Sequence, residues 1–74
     1  MSRSIEIETE YITLGQMLKE AALIDSGGMA KWFLSEYKVM VNGEPEDRRG
    51  KKLYDGDEIH ITEMEDFIVK SNKK

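Results

Sequence analysis

The sequence predicts an α+β fold in which two packed helices lie against a small, mostly antiparallel sheet. Three observations carry that expectation. Apolar and polar residues alternate at Ile5-Glu6-Ile7-Glu8-Thr9 and again at Glu58-Ile59-His60-Ile61-Thr62, the period of a half-buried strand. Between them Leu14, Met17, Leu18 and Ala21 recur at helical spacing. Val39-Met40-Val41 runs into Asn42-Gly43, a strong hairpin-turn dipeptide because both residues tolerate positive φ.

From the N-terminus, the first strand occupies residues 5–9. Thr13 and Gln16 then form a capping box, hydroxyl and amide satisfying orphan N–H groups, at the start of a helix over residues 14–23. Asp25-Ser26-Gly27-Gly28 breaks that helix. A second helix over residues 28–36 has Ser26 or Gly27 near its N-cap and buries Met29, Ala30, Phe33 and Leu34. So short a connection makes the helices neighbours. Pro45 confines the residues after the hairpin turn to an edge or a loop. Asp47-Arg48-Arg49-Gly50-Lys51-Lys52 is polar and predicts an exposed loop. Leu53-Tyr54 are expected to return to the core before an Asp55-Gly56 turn. Glu63 to Asp66 form a second turn, Phe67-Ile68-Val69 a last strand, and residues 71–74 a disordered tail. There is no internal repeat and no linker. The expectation is one domain over residues 1–74, with its core at about 5–70.

At 74 residues the chain has room for one modest core and no deep substrate cavity. It has no cysteine, so neither a disulfide nor a Cys-ligated zinc staples it, and the 39% apolar content must supply stability. No apolar run reaches signal-peptide or membrane-spanning length, which predicts a cytoplasmic protein; a monomer is expected. The net charge of −4 argues against a nucleic-acid partner at first sight. The charge is segregated, however. Residues 27–52 carry six bases (Lys31, Lys38, Arg48, Arg49, Lys51, Lys52) against four acids, whereas residues 53–66 carry six acids and no base. A one-sided basic surface would bind a polyanion whatever the total charge.

Arg48-Arg49-Gly50-Lys51-Lys52 is the foremost functional feature. Four cations in five residues repel one another, and folding does not require them to be adjacent. A solvated loop is the bland alternative. Arginine offers a planar fork to phosphate and lysine a mobile point charge, so the mixture suits a folded polyanion. Ser26-Gly27-Gly28-Met29-Ala30-Lys31 opens the second helix, where free N–H groups attract anions and paired glycines admit a phosphate. A plain helix–helix turn is its alternative, and it lacks the spacing of a nucleotide-binding loop. Trp32 lies off the Met29/Phe33 stripe and Tyr37 near the helix end. Either ring could stack on a base, although partial burial is the commoner fate of an aromatic. His60 should point away from the core, with no second nitrogen or thiol for a transition metal. Asp55-Gly56-Asp57-Glu58 lacks calcium-loop spacing and predicts a tight turn with solvated acids. With no cysteine, a lone histidine and no serine in a nucleophile elbow, the residues predict no enzyme, no metal and no cofactor.

The order of these pieces resembles the S4-like (alpha-L) RNA-binding domain. The capped helix, the Ser-Gly-Gly turn before Ala30-Lys31, Val39-Met40-Val41-Asn42-Gly43, the basic loop and Gly56-Asp57-Glu58-Ile59 match that family's pattern over roughly residues 12–61. The likeness extends to its short stand-alone bacterial members of the YaaA type. It implies RNA binding through the helix pair and the adjacent loop, ribosomal RNA as ligand, and association with the ribosome or its assembly. The residues expected at the RNA are Lys31, Lys38, Arg48, Arg49, Lys51 and Lys52, with Gly27, Gly28 and Asn42 shaping the backbone around the phosphates. Two positions depart from the pattern. Gly27 stands where many members carry an arginine. Tyr37 stands where a glycine usually ends the second helix, so either Tyr37 is strained or the helix ends differently. The alternative is a ubiquitin-like protein-interaction module, suggested by Val41-Asn42-Gly43-Glu44 with Leu53-Tyr54-Asp55-Gly56-Asp57-Glu58-Ile59. The sulfur-carrier version would need a Gly-Gly terminus, and the chain ends Lys70-Ser71-Asn72-Lys73-Lys74.

Overall fold

The computed structural model describes residues 2–72. Helix α1 spans Leu14–Glu20 and opens as the capping box requires. The Thr13 hydroxyl accepts from the Gln16 amide, and the Gln16 side chain accepts from the Thr13 amide, both at 3.3 Å. The helix stops earlier than its apolar spacing suggests. The Ala22 amide donates to the Lys19 carbonyl and the Leu23 amide to the Leu18 carbonyl, each at 3.0 Å. These are the paired bonds of a Schellman ending, which needs a left-handed residue just past the cap. Here it is Ala22, at φ 61°. A glycine would have announced this stop; an alanine hides it. Ile24, beyond the helix, still turns into the core.

Helix α2 spans Ala30–Glu36 and is preceded by a single 3-10 turn at Gly27–Met29. The expected start at Gly28 is therefore corrected. Two adjacent glycines make a poor α-helical first turn, and the tighter i→i+3 geometry takes their place. The Ser26 side chain caps nothing, although its carbonyl accepts from the Met29 amide. Of the apolar residues assigned to this helix, Ala30 and Phe33 are buried, while Met29 and Leu34 pack partly buried against the core. Tyr37 ends α2 in an extended conformation, φ −121°, so it is unstrained and the helix ends without a left-handed residue. Its ring lies 4.7 Å from that of Phe33.

Seven short strands complete the chain: β1 Ser2–Ile7, β2 Tyr11–Thr13, β3 Val39–Val41, β4 Glu44–Pro45, β5 Lys52–Tyr54, β6 Glu58–Ile61 and β7 Asp66–Ser71. Five form one sheet in the order β1-β7-β6-β3-β4, antiparallel except for the edge pair β1–β7. β2 and β5 form a separate antiparallel ribbon. The hairpin turn between β3 and β4 uses left-handed Asn42 and Gly43, φ 51° and 85°, as the dipeptide predicts. Pro45 falls on the edge strand, where its missing N–H is harmless.

The core lies between the helices and one face of the main sheet. Ile5, Ile7, Val39, Val41, Ile59, Ile61, Phe67 and Val69 meet Leu14, Met17, Leu18, Ala30 and Phe33, with Ile12 and Leu53 entering from the ribbon. No polar residue is buried among the described residues.

Three further expectations are corrected. The first strand ends at Ile7 rather than Thr9, because from Ile7 the chain must leave β7 to reach the ribbon. Tyr54 does not return to the core: in an extended strand only Leu53 can face inward, and Tyr54 points out. Ser71 and Asn72 are ordered, not a tail. The Ser71 amide donates to Asp55 and its hydroxyl to the Thr9 carbonyl, while the Asn72 amide donates to the Ile7 carbonyl. The rest of the predicted tail, Lys73 and Lys74, lies outside the described residues.

Replacing exposed, left-handed Ala22 with glycine should raise stability by about 0.5–1 kcal/mol, since the steric penalty on Cβ exceeds glycine's added chain entropy. Urea unfolding with an unchanged slope would register it as a higher midpoint.

Candidate nucleic-acid interface

The first backbone amides of a helix have no partner within it. In α1 those of Leu14 and Gly15 are taken by the basic loop: Leu14 donates to the Lys51 carbonyl and Gly15 to the Arg49 carbonyl, both at 2.8 Å. The loop is closed on itself by the Lys51 amide donating to the Arg48 carbonyl. Two of its carbonyls, those of Arg49 and Lys51, thus face the helix, while Arg48, Arg49 and Gly50 remain exposed.

Gly15 lies at the centre of this docking. A methyl group at its Cβ position would stand 3.4 Å from each of three atoms: the Ala30 Cβ, the Arg49 Cβ and the Arg49 carbonyl oxygen. The start of α1, the start of α2 and the crown of the loop thus meet at one point, where a methyl would just fit and a larger side chain would not.

The predicted cations are distributed unequally around this junction. Arg49 sits on it, and its neighbour across the junction is Ala30, the residue before exposed Lys31. Lys51 is half-buried where its carbonyl meets α1. Lys52 reaches across the ribbon, its Nζ 5.0 Å from the centroid of the Tyr11 ring, a cation–π distance. Arg48 is already engaged. Its Nε donates to Glu46 at 3.0 Å, its second nitrogen at 3.4 Å and its backbone amide at 3.1 Å. The hydrogen bond from the Arg48 guanidinium holds the Glu46 carboxyl below its ordinary pKa, and the carboxylate raises that of Arg48 in turn. Lys38 stands apart, at the far end of α2, in a groove shared with Glu36, Glu46 and Asp47.

The three residues expected to shape the backbone behave differently from one another. Neither Gly27 nor Gly28 has positive φ, and a side chain would meet open space at Gly27 and only the Ser26 Oγ, at 3.9 Å, at Gly28, so neither turn geometry nor packing demands glycine there. Asn42 is committed internally. Its side chain donates to Asp57 and accepts from the Glu58 amide, tying the hairpin turn to the Asp55-Gly56 turn. Asp57 in addition accepts from the Tyr54 amide, so these acids cap turns instead of being merely solvated.

Sequence reasoning missed two residues beside the loop. Tyr11 and Tyr54 are directly opposed across the ribbon, ring centroids 5.8 Å apart, 40% and 45% exposed. The signal was weak because β2 is three residues long and Tyr54 follows an apolar leucine. Of the two aromatics considered instead, Trp32 is exposed at 52% and Tyr37 packs on Phe33. Among the described residues no cluster of His, Asp or Glu is placed to hold a metal, and no helix is long and apolar enough to cross a membrane.

A helix pair with a basic loop hydrogen-bonded to its first amides, backed by a small sheet, defines the class: a small α+β domain whose densest positive charge is carried on one docked loop. The S4 domain family profile matches residues 5–70, and the chain belongs to that family. A relative from Bacillus subtilis (strain 168), the "Probable ribosome maturation protein RlbA", is 59% identical over 69 residues, covering 93% of this chain and 97% of the relative. No solved structure matches. Family membership sets aside the ubiquitin-like alternative.

Two outcomes test this geometry. Gly15→Val should destabilise by about 1–3 kcal/mol through overpacking, whereas Gly15→Ala should be nearly neutral, as chemical denaturation would show. Glu46 should titrate below 4.5 and return toward it in Arg48→Ala, measured by carboxyl NMR. Because its folded pKa is the depressed one, its support of the loop is complete above the unfolded value and disappears as pH falls through the folded value.

Proposed function

We propose that this protein binds structured RNA, ribosomal RNA in particular, as a non-catalytic factor in ribosome maturation. One observation carries the reading: a chain of the S4 domain family docks its basic loop onto the start of α1 through backbone hydrogen bonds, with Arg49 and Lys52 left exposed. The high identity to a relative named for ribosome maturation supplies the cellular setting. In this reading Arg49, Lys51, Lys52 and Lys31 meet phosphates, Arg48 contributes once drawn from Glu46, and Lys38 lies at the margin. Gly27 and Gly28 leave the backbone open to close approach, and Asn42 sets the adjacent turn. The protein acts as a monomer in the cytoplasm.

A rigid loop suits shape recognition. Structured RNA offers phosphates and ribose hydroxyls at fixed spacing, and side chains held by a docked backbone lose little freedom on meeting them. Four phosphate contacts would make the binding constant fall with salt at a log–log slope of about −3.

Arg49→Glu combined with Lys51→Glu should weaken binding to isolated small and large ribosomal subunits and to a model RNA duplex by more than about tenfold, and flatten the salt slope by two contacts' worth. Co-sedimentation and fluorescence anisotropy measure the two. Unchanged affinity and slope, with an unchanged circular dichroism spectrum, would sink the assignment.

A further inference from the structure

The ribbon's outer face contains more than its folding needs. Along β2 and β5 the inward residues Ile12 and Leu53 are buried, and the outward pairs are Tyr11 with Tyr54 and Thr13 with Lys52. A cross-strand aromatic pair helps hold a two-stranded ribbon, and that is the plain account of the rings. It does not account for their surroundings. Tyr54 lines an open groove together with Arg48, Gly50, Lys51 and Lys52. Tyr11 lies behind it, tilted by 53°, and carries the Lys52 ammonium against its ring.

We propose that Tyr54 is a stacking platform for one unpaired RNA base, with Tyr11 and Lys52 as the residues that position it. This deepens the RNA-binding reading and rests on it. The division of labour follows from the geometry. Tyr11 already has a cation on its ring, so the ring free to take a base is that of Tyr54, on the loop side. Lys52, anchored on Tyr11, stands where the phosphate of the stacked nucleotide would lie. The other flank of Tyr11 is acidic: Glu6, Glu8, Glu10 and Glu20 line the neighbouring depression, with Lys19 as its one base. Phosphates are repelled there and attracted at the loop, which orients the strand so that a base, uncharged and flat, crosses the tyrosines. Stacking is tolerant of sequence because every base has a π-face. The ligand class is therefore RNA with an unpaired nucleotide beside a helical stem, in preference to continuous duplex.

The probes are a blunt RNA duplex and the same duplex with a short single-stranded extension containing 2-aminopurine. Wild type should bind the extended duplex more tightly and quench the 2-aminopurine. Tyr54→Ala should lose roughly 5- to 50-fold on the extended duplex only, with no quenching and with the salt slope unchanged. Tyr54→Phe and Tyr54→Trp should keep both effects, and Tyr11→Ala should lose part of them. A purely structural role for the ring would instead lower the melting temperature and weaken both probes together. That result, or quenching retained in Tyr54→Ala, overturns the platform while leaving the RNA reading intact. Failure of wild type to bind either duplex overturns the RNA reading, and the platform with it.

Discussion

The two hydrogen bonds from the start of α1 to the carbonyls of Arg49 and Lys51 are the constraint on which the rest of the molecule depends. A helix presents orphan donors at its first turn, and most proteins cover them with a side chain or water. Here Thr13 and Gln16 cover the cap itself, and a stretch of cationic backbone supplies the remaining acceptors. Because Thr13 is both the cap of α1 and the end of β2, fixing the loop there fixes the β2–β5 register, with Thr13 opposite Lys52. One junction thus determines the direction of the helix, the height of the loop and the position of the tyrosine pair.

The same junction resolves the paradox of an acidic protein with a polyanion as its ligand. The carboxylates are not removed; they are given work elsewhere. Asp55 and Asp57 accept backbone amides at turns, and Glu46 braces the loop through Arg48. With the Arg48 guanidinium open to solvent, the Arg48–Glu46 pair contributes little to stability in water, although the Glu46 side chain is largely covered. The pair's consequence is local: one of the four adjacent cations is neutralised, which relieves repulsion among them.

Much of this was legible in the residues. The capping box at Thr13-Gln16, the Asn42-Gly43 turn, the alternation along β6 and the α2 stripe are short-range patterns, each set by neighbours a few positions apart. Misses arose where the usual residue was replaced by an unusual one. Ala22 ends α1 in a conformation normally given to glycine, and the Gly27-Gly28 pair makes a 3-10 turn where a helix start was expected. Asn42 was expected to shape the backbone, but the long-range means was not legible: its amide is held at both ends by partners fifteen and sixteen residues away.

The sequence alone determined the two-helix α+β architecture, the exposed basic loop and the family, because periodicity, turn chemistry and charge runs are written in consecutive residues. Only the tertiary structure decided which cations are available and what stands beside them. Gly15 against Arg49, Lys52 over Tyr11 and Tyr11 against Tyr54 join parts of the chain that lie far apart in sequence. The physical reason is that helix capping and strand register act across the closed chain, so a residue's neighbours in space follow from which donors and acceptors remained unpaired elsewhere.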